Sequence, residues 1–314
     1  MTGIFTYREF SLQDTPPLDG KVALVTGGHG GIGREITTQL LIHNIDRVCK
    51  RRVSFIQCDL GDIFAVKEAA DQVKSKINRL DILFCNGGLG VTTKYERSPQ
   101  GVEMVFAANC IGHQELVTLL LPLLKRTANQ HSESSEARIV VTSSSLHSVC
   151  RTLDLNQLTK PTRVMPLHPY IDGFWRYCRS KLGNILFTRE LTRRLEEEGS
   201  EADNVYVNVF FPGNIVTEQW KAWDEYVGNT LGAVFRYIFS IIGQSTQDGA
   251  ATAIYLATID QIRVDGIRGQ YYIPVAKPDA TIDIGNDLVL ARDLWDWIES
   301  KVTEHLGPRW QGEA

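Results

Sequence analysis

The sequence predicts an α/β fold built on a doubly wound parallel sheet with helices on both faces. Short apolar runs alternate with helical periodicities, the first run opens into a glycine cluster, and a later helix carries a tyrosine and a lysine on one face. At 314 residues the chain suits one such domain, read here as 1–314. Within it, 1–17 is a polar leader ending in Pro16 and Pro17.

Val22 to Thr26 form the first apolar run, of the sort buried on both faces in a parallel sheet. After the glycines a helix runs to about His43. Further strand-like runs are Val53 to Asp59, Ile82 to Asn86, Ile139 to Thr142, Val205 to Phe211 and Gln270 to Ile273. Leu231 to Ile242, LGAVFRYIFSII, is about half of the ~20 residues a membrane-spanning helix needs and carries Arg236. It reads either as a core or surface helix or as an apolar lid over a substrate cleft; on the second reading 216–247 form the lid.

A formal charge of -4 and a pI near 6.0 give no electrostatic reason to expect nucleic acid or an anionic membrane as partner. A small molecule is expected instead. Cys49, Cys58, Cys85, Cys110, Cys150 and Cys178 lie far apart, without zinc-ligand spacing or the density of a disulfide scaffold, and read as reduced, mostly core thiols; no metal is expected. MTGIFTYREF has no basic stretch followed by an apolar one, so neither a secretory signal nor an anchor is expected and cytosol is the default.

The first strand runs into TGGHGGIG, with Gly27, Gly31 and Gly33 after Thr26 and with Ile32 between the last two. Glycines there allow a tight turn and let backbone N–H groups at a helix start approach a pyrophosphate. His29 inside the turn reads as a solvated loop residue. LFCNGG ends another strand with Asn86, Gly87 and Gly88, and RIVVTSSS ends a third with serines that could equally be ordinary turn residues. In RYCRSKLGNILFTREL, Tyr177 and Lys181 are spaced to share a helix face, and Leu182, Ile185, Leu186, Leu191 and Leu195 supply the apolar periodicity. Tyr170 lacks such a partner, since Phe174 stands four residues on. A phenol titrates near ~10, too high for a base at neutral pH, and a nearby ammonium lowers it.

Together these motifs resemble the short-chain dehydrogenase/reductase family, whose TGxxxGxG turn is matched by Thr26, Gly27, Gly31 and Gly33. ANCIGHQELVTLLLPLLK and RGQYYIPVAK are similar to the retinol-dehydrogenase-like branch, and the likeness runs from Leu18 to about Val302. The resemblance implies a Rossmann-like fold and an NADP cofactor, with NAD as the alternative. It places Ser144 at the reacting oxygen, with Ser143 and Ser145 as alternatives within one residue. Tyr177 becomes the proton-transfer group, Lys181 the holder of the nicotinamide ribose, and Asn109 the residue that orders a water behind Lys181. Asp59 and Leu60 fall at the adenine, and Pro212, Gly213, Ile215 and Thr217 line the carboxamide. The glycine spacing separates the chain from epimerase-like relatives.

One stretch departs from the family. Ile45 to Asp59 cannot hold two strands and a crossover of ~10–12 residues, so the second strand and its helix are missing. Lost with them is the position that chooses between NAD and NADP. Lys50, Arg51 and Arg52 either replace it or form a solvated turn. The run Val53 to Asp59, read as the third strand, is expected to move in beside the first, because an unfilled slot would leave backbone polar groups unpaired.

The resulting expectation is an enzyme, with a homo-oligomer allowed, that interconverts an alcohol and a ketone or aldehyde on an apolar small molecule. Its relatives tailor lipids, terpenoids or polyketides in fungi. The rival is a non-catalytic binding or scaffold protein with a damaged cofactor site.

Overall fold

The structure, a computed structural model, describes residues 8–45, 53–130, 135–160, 169–215, 244–308 and 310. In chain order come β1 (Ala23–Val25), α1 (Gly31–Ile42), α2 (Ile63–Lys76) and β2 (Ile82–Cys85). A short α3 (Met104–Phe106) passes through a π turn (Ala107–Ile111) into α4 (Gly112–Ala128), followed by β3 (Ala137–Thr142), α5 (Pro169–Glu198) and β4 (Val205–Phe210). The chain continues with α6 (Thr246–Thr258), α7 (Gln261–Val264), β5 (Tyr271–Ile273), β6 (Lys277–Asp279) and α8 (Leu288–Leu306).

These strands form a 6-stranded sheet in the order β1-β2-β3-β4-β5-β6. Pairs from β1 to β5 are parallel and β5 pairs antiparallel with β6. Every residue of β2, β3 and β4 is buried, which is why their sequences read as unbroken runs without alternation. Two cores cover the faces. Side chains of α2, α4, α5 and α8 build one, with Val117, Leu120, Leu182, Ile185 and Ile298; α1 and α6 build the other, with Ile36, Leu40, Ile254 and Ala257. Local chemistry sets the helix ends: Asp62 caps α2, Ser245 and Asp248 form a capping box on α6, and Asp287 caps α8, which stops before Gly307 at φ 83°. Met104–Ala128 is long and apolar enough to cross a membrane, but 83% of its apolar window is buried in the protein, as in a core helix. The described part of the leader is packed down: Phe10 is buried and Arg8 pairs with Asp248 at 2.9 Å.

Two strand expectations need correcting. Val53 to Asp59 does not join the sheet. It alternates between exposed and partly buried residues, with Phe55 74% exposed and Ile56 and Cys58 turned to the core. Its far end is held elsewhere, where the Leu60 carbonyl lies against Gly112 at the start of α4. Among the described residues β2 is the sole ladder partner of β1, so a strand whose sequence suits a sheet interior stands at an edge with Leu24 and Val25 only partly buried. The antiparallel β6 was not expected, because Lys-Pro-Asp carries no apolar pattern and its residues are exposed. Lys50, Arg51, Arg52, Thr217 and the apolar run 231–242 lie outside the described residues.

Glu115 on α4 is fully buried, and neither carboxyl oxygen has a hydrogen-bond partner. Burial pushes its pKa up to about 9, Asp62 adds to the rise and Lys67 opposes it. An acid raised in this way keeps its proton when folded and loses it when unfolded, so stability falls as pH climbs from about 4.5 towards about 9. Glu115→Gln should therefore melt at least ~2 °C above the native chain at pH 8 and level with it at pH 4. Thermal melts at the two pH values check this; an equal shift at both would contradict it.

Candidate active site

The site forms where β1 and β2 end side by side. The Thr26 hydroxyl accepts the N–H groups of Asn86 and Gly87 at 2.9 and 2.8 Å, and the Asn86 amide returns a bond to the Thr26 carbonyl at 3.1 Å. His113 Nε2 lies 2.9 Å from the same hydroxyl, while its Nδ1 lies 3.0 Å from the Asn109 carbonyl. Because a carbonyl only accepts, Nδ1 carries the proton and Nε2 accepts from Thr26. Burial pushes the His113 pKa down to about 4, so the ring stays neutral.

This junction demands glycine. Gly27 has φ 66°, and a side-chain carbon there would come 2.8 Å from the Gly87 Cα. A carbon on Gly33 would come 2.3 Å from the Gly27 carbonyl oxygen. With Gly31 and Ile32 in the first turn of α1, backbone N–H groups at the helix start are left for an anion, as a pyrophosphate requires. The cradle therefore fits the phosphate and nicotinamide half of a dinucleotide.

Across the sheet end, β3 delivers Thr142 and the serines, and α5 delivers Tyr177 and Lys181. Ser144 is within side-chain hydrogen-bonding reach of the Tyr177 phenol, and its Oγ accepts from Leu146 N at 3.2 Å. Ser143 is engaged otherwise, its Oγ donating to the Lys181 carbonyl at 2.7 Å. Of the three serines, Ser144 is the one set within reach of the phenol. The Lys181 ammonium stands 5.5 Å from the Tyr177 ring centroid and donates to the Thr142 carbonyl at 3.2 Å. Burial pushes the phenol up to about 12, against the pull of Ser144, and pushes Lys181 down to about 8. With the Lys181 ammonium 5.5 Å from the ring centroid, desolvation is the larger effect, and the phenol ends above its ordinary value rather than below it.

Asn109 sits in the π turn, fully buried. Its carboxamide accepts from Leu89 N at 2.8 Å and donates to the Leu89 carbonyl and to Ser180 Oγ at 3.0 and 2.9 Å. It reaches α5 through Ser180 and makes no hydrogen bond to Lys181. Gly88 packs against this carboxamide. Pro212 and Ile215 are buried and Gly213 has φ 102°; Thr217 lies outside the described residues. Asp59 is exposed and spends one oxygen on the N–H of Gly61, and Leu60 packs beside Gly87. Among the described residues no strand pairs with β1 on the side where Asp59 and Leu60 lie, the two residues that the family resemblance puts at the adenine.

Sequence reasoning missed several supports. Asn184 donates to the Thr142 carbonyl at 2.9 Å and Ser143 to the Lys181 carbonyl, so α5 is fastened to the end of β3 and the residue after it, at the C-terminal end of the Tyr177–Lys181 turn. Asn184 stood three residues after Lys181, a spacing that shares its helix face. His113 lay inside ANCIGHQ, four residues from Asn109, and could have been found by the same rule. Thr26→Val should leave buried N–H groups unmet, at ~1–3 kcal/mol. Melting temperature should drop by several degrees and NADPH affinity by ~10-fold, read by thermal melts and fluorescence titration; unchanged values of both would contradict the junction.

The model of the short chain dehydrogenase family matches residues 21–151. The mitochondrial oxidoreductase bli-4 of Neurospora crassa is 31% identical, covering 96% of this chain and 76% of its own length. Human retinol dehydrogenase 14 is 30% identical over 91% of this chain and 87% of its own. An uncharacterized Mycobacterium paratuberculosis protein superposes with a TM-score of 0.67 at 22% identity, covering 95% of this chain and 98% of that one, a likeness of fold. The Pseudomonas aeruginosa RhlG/NADP complex gives 0.56 at 24% identity over 82% and 95%. By sequence the chain belongs to the short-chain dehydrogenase/reductase family of NAD(P)-dependent oxidoreductases.

Proposed function

We propose that this oxidoreductase interconverts an alcohol and a ketone or aldehyde on an apolar small molecule, using NADP, in lipid or secondary-metabolite chemistry. The observation that carries the reading is the Ser144 hydroxyl within hydrogen-bonding reach of the Tyr177 phenol, with the buried Lys181 ammonium 5.5 Å from the ring centroid. A substrate oxygen placed between the two hydroxyls would be held by Ser144 and would exchange its proton with Tyr177. A bound nicotinamide cofactor supplies or accepts the hydride. A phenol held near 12 is protonated at neutral pH, as donation to a carbonyl oxygen requires. Lys181, charged below about 8, serves the ribose and helps to balance the phenolate left by that donation. Support for NADP is the RhlG/NADP likeness together with the Lys50 to Arg52 run.

A non-catalytic role has one observation in its favour, the edge position of β1, beside which no further strand pairs among the described residues. Failure to bind NADPH and NADH would select it.

Tyr177→Phe keeps the ring and removes the proton donor, so turnover of apolar carbonyl probes should fall by ~10²–10⁴ with NADPH affinity nearly unchanged. Comparable turnover by the variant would sink the assignment. Lys181→Ala should damage both turnover and NADPH affinity, measured in the same assays, and intact affinity would refute the ribose role. In the native chain, kcat/KM for reduction should decline as pH rises through about 8, where Lys181 loses its charge. A profile still rising there would contradict the role given to the ammonium.

A further inference from the structure

Arg176 stands immediately before Tyr177 and is 1% exposed. Its Nε donates to Asp172 at 2.9 Å, and Nη1 donates to Glu103 Oε1 and to the Lys94 carbonyl, both at 3.1 Å. Nη2 donates to the Thr92 carbonyl at 2.8 Å and reaches that of Thr93 at 3.5 Å. The guanidinium carbon lies 5.7 Å from the Tyr95 ring centroid. A buried charge is tolerated when paired and fully hydrogen-bonded, and the planar fork of arginine can serve several acceptors at once where lysine cannot.

Consecutive carbonyls at 92–94 belong to the loop that continues from Asn86–Gly88. Asn109 fixes the start of that loop by bonding both backbone groups of Leu89. Its later part lies directly on α5: a side-chain carbon at Gly173 would come 2.0 Å from the Thr92 oxygen. Glu103 adds a third tie, because the carboxylate that meets Arg176 also caps α3 through the N–H groups of Val105 and Phe106. Between the pins at Leu89 and Thr92, Gly90 and Val91 are partly exposed at the sheet end that carries Tyr177.

We propose that Arg176 is a positioning residue for substrate: it locks the loop Leu89–Tyr95 into a fixed wall of the cleft before Tyr177, and the wall decides how an apolar carbonyl compound seats. The proposal rests on the oxidoreductase reading above. Arg176 touches neither cofactor nor reacting atoms, so its loss should act on substrate binding before it acts on proton transfer.

The test compares the native chain with Arg176→Lys, which keeps a charge for Glu103 but cannot span the loop carbonyls, and with Arg176→Ala. Amide hydrogen exchange in Leu89–Tyr95 should speed up by ~10-fold or more in both variants, while exchange in Tyr177–Leu186 stays as it was. With decanal, chosen from a C6–C12 aldehyde series, and NADPH, KM should rise ~5–10-fold, kcat should change less than ~3-fold, and NADPH affinity should hold. Arg176→Lys keeps the test valid if the alanine variant fails to fold. Unchanged loop exchange overturns the clamp. Faster exchange with an unchanged KM overturns the wall, and a fall in kcat at constant KM assigns Arg176 to Tyr177 alone. If the native chain turns over no aldehyde of the series, the oxidoreductase reading has failed and the wall with it, while loop exchange still decides the clamp.

Discussion

The hydroxyl of Thr26 is the point on which the candidate site depends. It takes two N–H groups from the end of β2 and meets the His113 ring from α4, so β1, β2 and the helix behind them converge on one oxygen. That convergence brings Gly27 against Gly87 and Gly33 against the Gly27 carbonyl, too close for any side chain. From His113 the chain of contacts continues to Asn109, then through Ser180 to the helix that bears Tyr177 and Lys181. Cofactor turn and proton-transfer residues are therefore one connected unit.

Burial sets the chemistry of that unit. The same packing that leaves His113 neutral raises the Tyr177 phenol and lowers Lys181. Desolvation acts on each against its charged form, so the resting state holds a protonated phenol and an ammonium that loses its proton unusually easily. Ser143 and Asn184 keep α5 on β3 while these groups sit in low-dielectric surroundings. The phenol therefore holds its proton at neutral pH, as the proposed donor role requires.

Most of the fold was legible because buried parallel strands write themselves as apolar runs: ILFC, ARIVVT and VYVNVF all lie where the sequence placed strands. VSFIQCD is equally β-like, yet it joins no ladder among the described residues, because ladder formation depends on a neighbouring strand, which a local pattern cannot report. KPD failed in the opposite sense, pairing through its backbone without any apolar signal. At the site, Thr26, Asn86, Ser144, Tyr177 and Lys181 were readable from motif spacing. The resemblance placed Ser144 at the reacting oxygen with Ser143 and Ser145 as alternatives within one residue, and the fold adds that Ser143 is spent on the Lys181 carbonyl. Arg176 was illegible because, apart from Asp172 four residues back, its partners lie 73 to 84 residues away and in no motif.

The central proposal is that the described residues assemble the nicotinamide side of a cofactor site, whereas no described strand walls the adenosine side. Titrating the native chain with NADPH and with reduced nicotinamide mononucleotide, under identical conditions, measures the two halves separately. The account predicts saturable 1:1 binding of both, with NADPH tighter by no more than ~10-fold, since few adenosine contacts remain to separate them. Failure to bind the mononucleotide, together with NADPH binding at low-micromolar affinity or better, would contradict it by placing the binding energy on the side that the structure leaves open.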